Sequence, residues 1–262
     1  MRRFSDGETL IIINEVVRGK HMYIVQTCSV PTSDHIIELL QMVSTARGAG
    51  AARITAIIPY FGYKHHRRGL PISSTSQSRF IWSAAFDFAK LLQVVGVDSV
   101  VSVDLQHPGQ GHEACFFDTL IPVESLYSGR MMAEYFYDNI YKEIVEPNKL
   151  VVVATEPQFA KKARSFQKYF KKRTNENVGF GVYLKEETNT STNKYAIKHN
   201  AVIRPAEILG DIKGCDVVIV DDVVNSGATL SSVCHTLKKE GAKRIFICAS
   251  HGLFTGKICM FN

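Results

Sequence analysis

Residues 217–230 read VVIVDDVVNSGATL, and no other stretch limits the fold as sharply. Four β-branched apolar residues run without a break and end in two carboxylates, Asp221 and Asp222. An unbroken apolar run marks a strand covered on both faces, as in a parallel sheet. Asn225, Ser226 and Gly227 then make a small polar loop, and a helix is expected over 229–240.

Strand, loop and helix in that order imply a specific chemistry. Backbone N–H groups gathered at the start of a helix suit a phosphate. Asp221 and Asp222 cannot hold that phosphate themselves. They can accept hydrogen bonds from vicinal sugar hydroxyls, or bind the outer sphere of a magnesium ion. The pattern therefore asks for a phosphorylated sugar, with phosphate on the loop and hydroxyls on the carboxylates. The alternative is a plain strand-end turn with solvated acids.

The rest of the chain alternates strand and helix. Strands are expected at 8–17, 22–27, 54–59, 100–105, 150–154, 179–184, 216–220 and 244–249. The apolar run Tyr23, Ile24, Val25 reads as a covered central strand. Helices are expected at 35–47, 80–92, 126–141, 160–170 and 229–240. Gly48 or Gly50 should stop the first of them. Short strands alternating with helices of this length predict an α/β fold built on parallel sheets. Two similar domains are expected, 1–146 and 147–262, the second incomplete.

Composition narrows the class. Hydrophobic residues make up 45% of 262 residues and charged residues 21%, which excludes a wholly disordered or collagen-like chain. The formal net charge of +6 permits an anionic substrate without demanding nucleic acid. Six cysteines without a CxxC pair read as reduced thiols. No apolar run is long enough to span a membrane, and the start is too short and too soon acidic for a secretory signal. Cytoplasm is the expected location.

Residues 218–229 resemble the phosphoribosyl-diphosphate motif of the phosphoribosyltransferase fold. Further segments, in order, are similar to the ribose-phosphate diphosphokinase (phosphoribosyl pyrophosphate synthetase) family. They are Phe4-Ser5-Asp6-Gly7-Glu8, Val17 to Gln26, Asp34 with Glu38-Leu39-Leu40, and Arg53 to Tyr60. Val103-Asp104-Leu105, Phe116-Phe117-Asp118, Pro122-Val123 and His251-Gly252-Leu253-Phe254 extend the likeness to nearly the whole chain. The resemblance implies two phosphoribosyltransferase-like domains, the first on the ATP side and the second on the ribose 5-phosphate side. It implies transfer of the β,γ-diphosphate of ATP to C1 of ribose 5-phosphate, with AMP as the other product and Mg2+ required.

The resemblance also implies roles. Asp221 and Asp222 would bind the ribose hydroxyls, while Asn225, Ser226, Gly227, Ala228 and Thr229 cradle the 5-phosphate. Lys185 would be the catalytic lysine of a loop that faces the transferring phosphates, where a cation stabilises developing charge. Phe4, Asp6 and Glu8 would reach the adenine of ATP in a neighbouring subunit, which implies a homo-oligomer or a hetero-oligomer with related synthetase subunits. His65 and His66 stand where the family grips ATP with Arg and Gln. Metal binding falls to His107, beside Gln106 at the family's histidine position, and to Glu156 at its aspartate. His107, His112, Glu113 and Cys115 match no zinc signature. The basic stretch 64–68 lacks the interleaved aromatics of a nucleic-acid surface.

Several positions depart from the family. Glu187 stands where an arginine follows the catalytic lysine by two residues, and a carboxylate there repels phosphate. Gln158 and Phe159 replace two glycines, and their side chains are expected to obstruct close backbone approach. Asn225 replaces an aspartate. These departures leave a second reading open, a catalytically weak or inactive paralogue that regulates active synthetase subunits.

Overall fold

The structure is a computed structural model that describes residues 1–63, 84–105, 117, 121–144, 146, 149–185 and 207–255. The chain divides into two compact units, Met1–Leu126 and Tyr127–Asn262.

The first unit opens with a hairpin of β1 (Arg2–Arg3) and β2 (Thr9–Leu10). Then come β3 (His21–Val25), α1 (Thr32–Gly48), β4 (Arg53–Ile58), α2 (Ala84–Val94), β5 (Ser99–Val103) and β6 (Val123–Leu126). The last four strands form one sheet, ordered β3-β4-β5-β6, and every pairing is parallel. Ile36, Leu39, Val43 and Ala46 recur at helical spacing on α1 and are buried. They share a core with Ile54, Ala56 and Ile58 of β4 and Phe88 and Leu92 of α2. Each fully buried side chain of this size contributes about 1.5–3 kcal/mol. Gly50, with φ 86, supplies the left-handed turn after α1 that the sequence predicts near this point.

Two expectations change here. The strand expected over 8–17 is confined to Thr9–Leu10, because among the described residues it pairs only with the two-residue β1. β3 is an edge strand rather than a covered one, with Tyr23 and Val25 61% and 62% exposed and Ile24 buried between them. Three consecutive apolar residues read alike for both cases, and only the sheet order separates them.

The second unit begins with α3 (Gly129–Phe136), which runs through a π-helical turn (Tyr137–Tyr141) into α4 (Lys142–Ile144). It continues with β7 (Leu150–Ala154), α5 (Ala160–Thr174), β8 (Gly179–Leu184), β9 (Glu207–Leu209), β10 (Asp216–Val224), α6 (Ala228–Lys239) and β11 (Arg244–Gly252). The sheet order is β11-β10-β7-β8-β9, parallel throughout except where β9 runs against β8. Val218 and Val220 of β10 pack with Phe166 and Phe170 of α5, while Val217 and Ile219 pack with Leu230, Val233 and Leu237 of α6. β10 is therefore covered on both faces, as its apolar run requires. Both units thus carry a mostly parallel sheet flanked by helices, the α/β arrangement the sequence predicts.

The helix expected over 126–141 starts later, since Leu126 ends β6. Met132, Ala133, Phe136 and Tyr141 pack with Phe166 and Phe170, so this helix belongs to the core of the second unit. The boundary expected at 146 sets it in the first domain. Cys28, Cys215, Cys234 and Cys248 are free thiols; Cys115 and Cys259 lie outside the described residues. Among the described residues no helix is long and apolar enough to cross a membrane.

Candidate functional site

β10 delivers its carboxylates to the C-terminal end of the sheet, where ligands of open α/β folds bind. Asp221 is 6% exposed and Asp222 half-buried. The Asp221 carboxylate accepts the backbone N–H of Asp222 at 2.8 Å. Burial, helped by the neighbouring charge of Asp222, pushes the Asp221 carboxyl up to about 6, against the opposing pull of the Asp222 amide and the Thr155 hydroxyl. A carboxyl in that state benefits from any donor a ligand brings to it.

The loop after β10 turns sharply. Asn225 and Ser226 are exposed, and Gly227 adopts φ 76 immediately before α6. That left-handed conformation costs glycine little and other residues more. The Ser226 hydroxyl accepts the Ala228 amide at 3.5 Å, and the Gly227 carbonyl accepts the Ser231 amide at 2.8 Å. Ala228 and Thr229 are exposed in the first turn of α6, where backbone amides lack intrahelical partners. An oxyanion is the natural ligand of such a turn. The segment after β11 braces the loop: Leu253 and Phe254 donate their amides to the Val224 carbonyl at 2.9 and 3.3 Å, and the Thr255 hydroxyl donates to the Asn225 side-chain oxygen.

Glu156 follows β7, the strand beside β10, and leads through a short 3-10 turn (Pro157–Phe159) into α5. Its carboxylate accepts the Gln158 side-chain amide. Phe159 is buried among Phe166, Val218 and their neighbours, so its ring turns into the core instead of obstructing the strand end. This corrects the expected obstruction at that position, since a phenyl ring is far better housed in apolar packing than in a polar cleft. Lys162, one turn into α5, donates to Ser250 of β11 at 2.7 Å, and Ser250 and Ser128 share a hydrogen bond of 2.6 Å.

The remaining predicted residues divide. Lys185 is exposed and follows directly on β8. Phe4, Asp6 and Glu8 come together in the turn of the β1–β2 hairpin. There the Phe4 amide donates to the Glu8 carbonyl at 2.8 Å, and the Asp6 carboxylate accepts the Glu8 amide at 3.0 Å. Phe4 is 42% exposed with the Arg2 guanidinium 5.5 Å from its ring centroid. His65, His66, Gln106, His107 and Glu187 lie outside the described residues. Among the described residues no cluster of three or more His, Cys, Asp and Glu side chains is arranged to hold a metal. Asp222 and Glu156 are nevertheless the hard oxygen donors that magnesium takes one or two at a time, with water and phosphate completing its shell.

The sequence reading passed over Thr155, which is 1% exposed beside Asp221, and Thr255, which holds Asn225. Neither has a local signal. Strand pairing and the return of the chain after β11 bring them in.

Comparison with known proteins bears on this site. Residues 1–96 match the family described as the N-terminal domain of ribose phosphate pyrophosphokinase, and residues 149–255 match the phosphoribosyl transferase domain. The chain is 34% identical to the ribose-phosphate pyrophosphokinase of Buchnera aphidicola over 255 residues, covering 97% of this chain and 71% of that one. It is also 34% identical to the enzyme of that name from Shewanella oneidensis, with the same coverage. The Campylobacter jejuni protein of that name is 30% identical over 257 residues, 98% of this chain and 72% of its own. A crystal structure of phosphoribosylpyrophosphate synthetase from Mycobacterium smegmatis superposes with a TM-score of 0.73 at 25% identity, over 98% of this chain and 73% of that one.

Proposed function

The chain belongs to the ribose-phosphate pyrophosphokinase family, and on that premise we propose that it transfers the diphosphate of ATP to C1 of ribose 5-phosphate, releasing AMP. The observation that carries the reading is the end of β10, where one buried and one half-buried carboxylate precede a left-handed glycine and the exposed first turn of α6. In this reading Asp221 and Asp222 accept hydrogen bonds from the ribose hydroxyls. Asn225, Ser226, Gly227, Ala228 and Thr229 surround the 5-phosphate with amides and hydroxyls. The second unit is then the ribose 5-phosphate side and the first unit the ATP side.

The ribose C1 hydroxyl attacks the β-phosphorus of ATP, its bond to AMP breaks, and the hydroxyl proton leaves to solvent or a nearby base. Lys185 would place its ammonium against the transferring phosphates. Phe4, Asp6 and Glu8 would meet the adenine of ATP held by a neighbouring subunit, with His65 and His66 on its phosphates. Glu156 and His107 would hold Mg2+, which when bound neutralises charge on the phosphates. A homo-oligomer, or a hetero-oligomer with related subunits, follows from the shared ATP site.

One observation favours a second reading, a weak or inactive regulatory paralogue. Glu187 stands where the family carries an arginine, and a carboxylate there repels the transferring phosphates. The deciding experiment is AMP formation from ATP and ribose 5-phosphate by the purified chain alone, with magnesium. Turnover establishes the synthetase reading; ATP binding without AMP favours the paralogue. Glu187→Arg separates the causes: if Glu187 faces the transferring phosphates, the substitution raises the rate about tenfold, equivalent to about 1.4 kcal/mol.

A further inference from the structure

Thr155 is buried, follows directly on β7 and sits next to β10. The β7–β10 register pairs Val220 with Ala154, so Thr155 stands level with Asp221. It is 1% exposed; no partner meets its hydroxyl with hydrogen-bond geometry, and its pull on the Asp221 carboxylate is the weakest of those acting there. Buried hydroxyls are nearly always paired, and one left unpaired is destabilising. Valine has nearly the same shape and would fill this place without that cost.

We infer that Thr155 is a positioning residue for the acid pair: its hydroxyl is a donor held beside Asp221 and engaged when that carboxylate turns to accept a sugar hydroxyl. The inference rests on the reading of Asp221 as a ribose ligand. In the free chain Asp221 takes the Asp222 amide. A carboxylate has about four lone-pair positions, so it can keep that bond and add both a ligand hydroxyl and Thr155. A second donor fixes the direction of the carboxylate, and orientation is what a diol ligand reads.

The test uses the full chain, ribose 5-phosphate titrated by calorimetry, and thermal melts of Thr155→Val, Thr155→Ser and Asp221→Asn. A positioning role gives an opposed pair of effects. Thr155→Val melts at the parent temperature or higher, yet binds ribose 5-phosphate roughly five- to tenfold more weakly, the worth of one hydrogen bond. Thr155→Ser keeps the hydroxyl and binds within about twofold of the parent. Parent affinity in Thr155→Val overturns the inference, as does equal weakening in the Val and Ser proteins, which would mean packing. A lower melting temperature for Thr155→Val also overturns it, since the hydroxyl would then be paired in the free chain. If Asp221→Asn binds like the parent, the ribose reading itself fails and this inference with it. Weak binding by Asp221→Asn beside normal binding by Thr155→Val condemns the inference alone.

Discussion

The two ends of β10 carry carboxylates in opposite circumstances. At its N-terminal end Asp216 is 1% exposed and receives both arms of Arg244, at 2.7 and 2.8 Å. At its C-terminal end Asp221 is nearly as buried, yet its carboxyl is raised to about 6, so burial outweighs the donors around it. The same residue type on one strand is thus satisfied by the fold at one end and left short at the other. The first arrangement locks β11 to β10. The second leaves a carboxyl short of donors at the strand end where the proposed ribose site lies.

The comparison breaks if both ends respond alike. The largest effect is expected at the satisfied end. Asp216→Ala removes two charge-assisted hydrogen bonds and should cost about 3 kcal/mol or more in denaturant melts. Arg244→Met should cost still more, because it strands the buried carboxylate.

At the other end the sign reverses. The folded-state carboxyl of Asp221 lies above its unfolded value, so its contribution to stability is fully present below about pH 4 and is lost as pH rises through about 6. Asp221→Asn should flatten that slope in melts between pH 4 and 7 and raise stability at pH 7 by at most about 3 kcal/mol. A parent protein whose stability rises steadily from pH 4 to 7, with an unchanged slope in Asp221→Asn, would place Asp221 with Asp216.

Asp222→Ala sharpens the functional side. It should weaken ribose 5-phosphate binding by about 1.5–3 kcal/mol, roughly ten- to a hundredfold, while the melting temperature holds. Binding equal to the parent would remove Asp222 from the site. The smallest effect belongs to the loop. Gly227→Ala must hold a Cβ at φ 76 and should cost about 1 kcal/mol in melts, with inorganic phosphate binding weakened alongside. Unchanged phosphate binding would argue that the loop does not cradle an anion.

The two units repeat this lesson on a larger scale. Both have a parallel sheet with helices between strands. After β4 of the first unit come Tyr60 and Phe61, both buried, and Phe61 packs on Phe88 and Phe117 with centroids 4.7 and 5.7 Å apart. The end of that strand builds core; the end of β10 builds a polar site.

Much of this was legible in the sequence because it is local. β7, at 150–154, and β8, at 179–184, fall where their apolar runs begin and end. α5 and α6 start within a residue of the expected positions, since their apolar spacing and flanking small residues are read along the chain. β6 and β9 escaped. Residues 123–126 read VESL and 207–209 read EIL, both too short and too mixed to signal a strand before a neighbour pairs with them.

By itself, then, the sequence determined the order of elements, the parallel α/β class, and the acid pair with its loop and helix, since each depends on residues near one another in the chain. Tertiary structure alone decided that β3 lies at an edge, that α3 packs with α5, that Arg244 satisfies Asp216, and that an unpaired Thr155 hydroxyl stands beside Asp221. The physical reason is common to all four. Each depends on which distant segment becomes the neighbour, and burial, pairing and charge compensation are properties of neighbours in space.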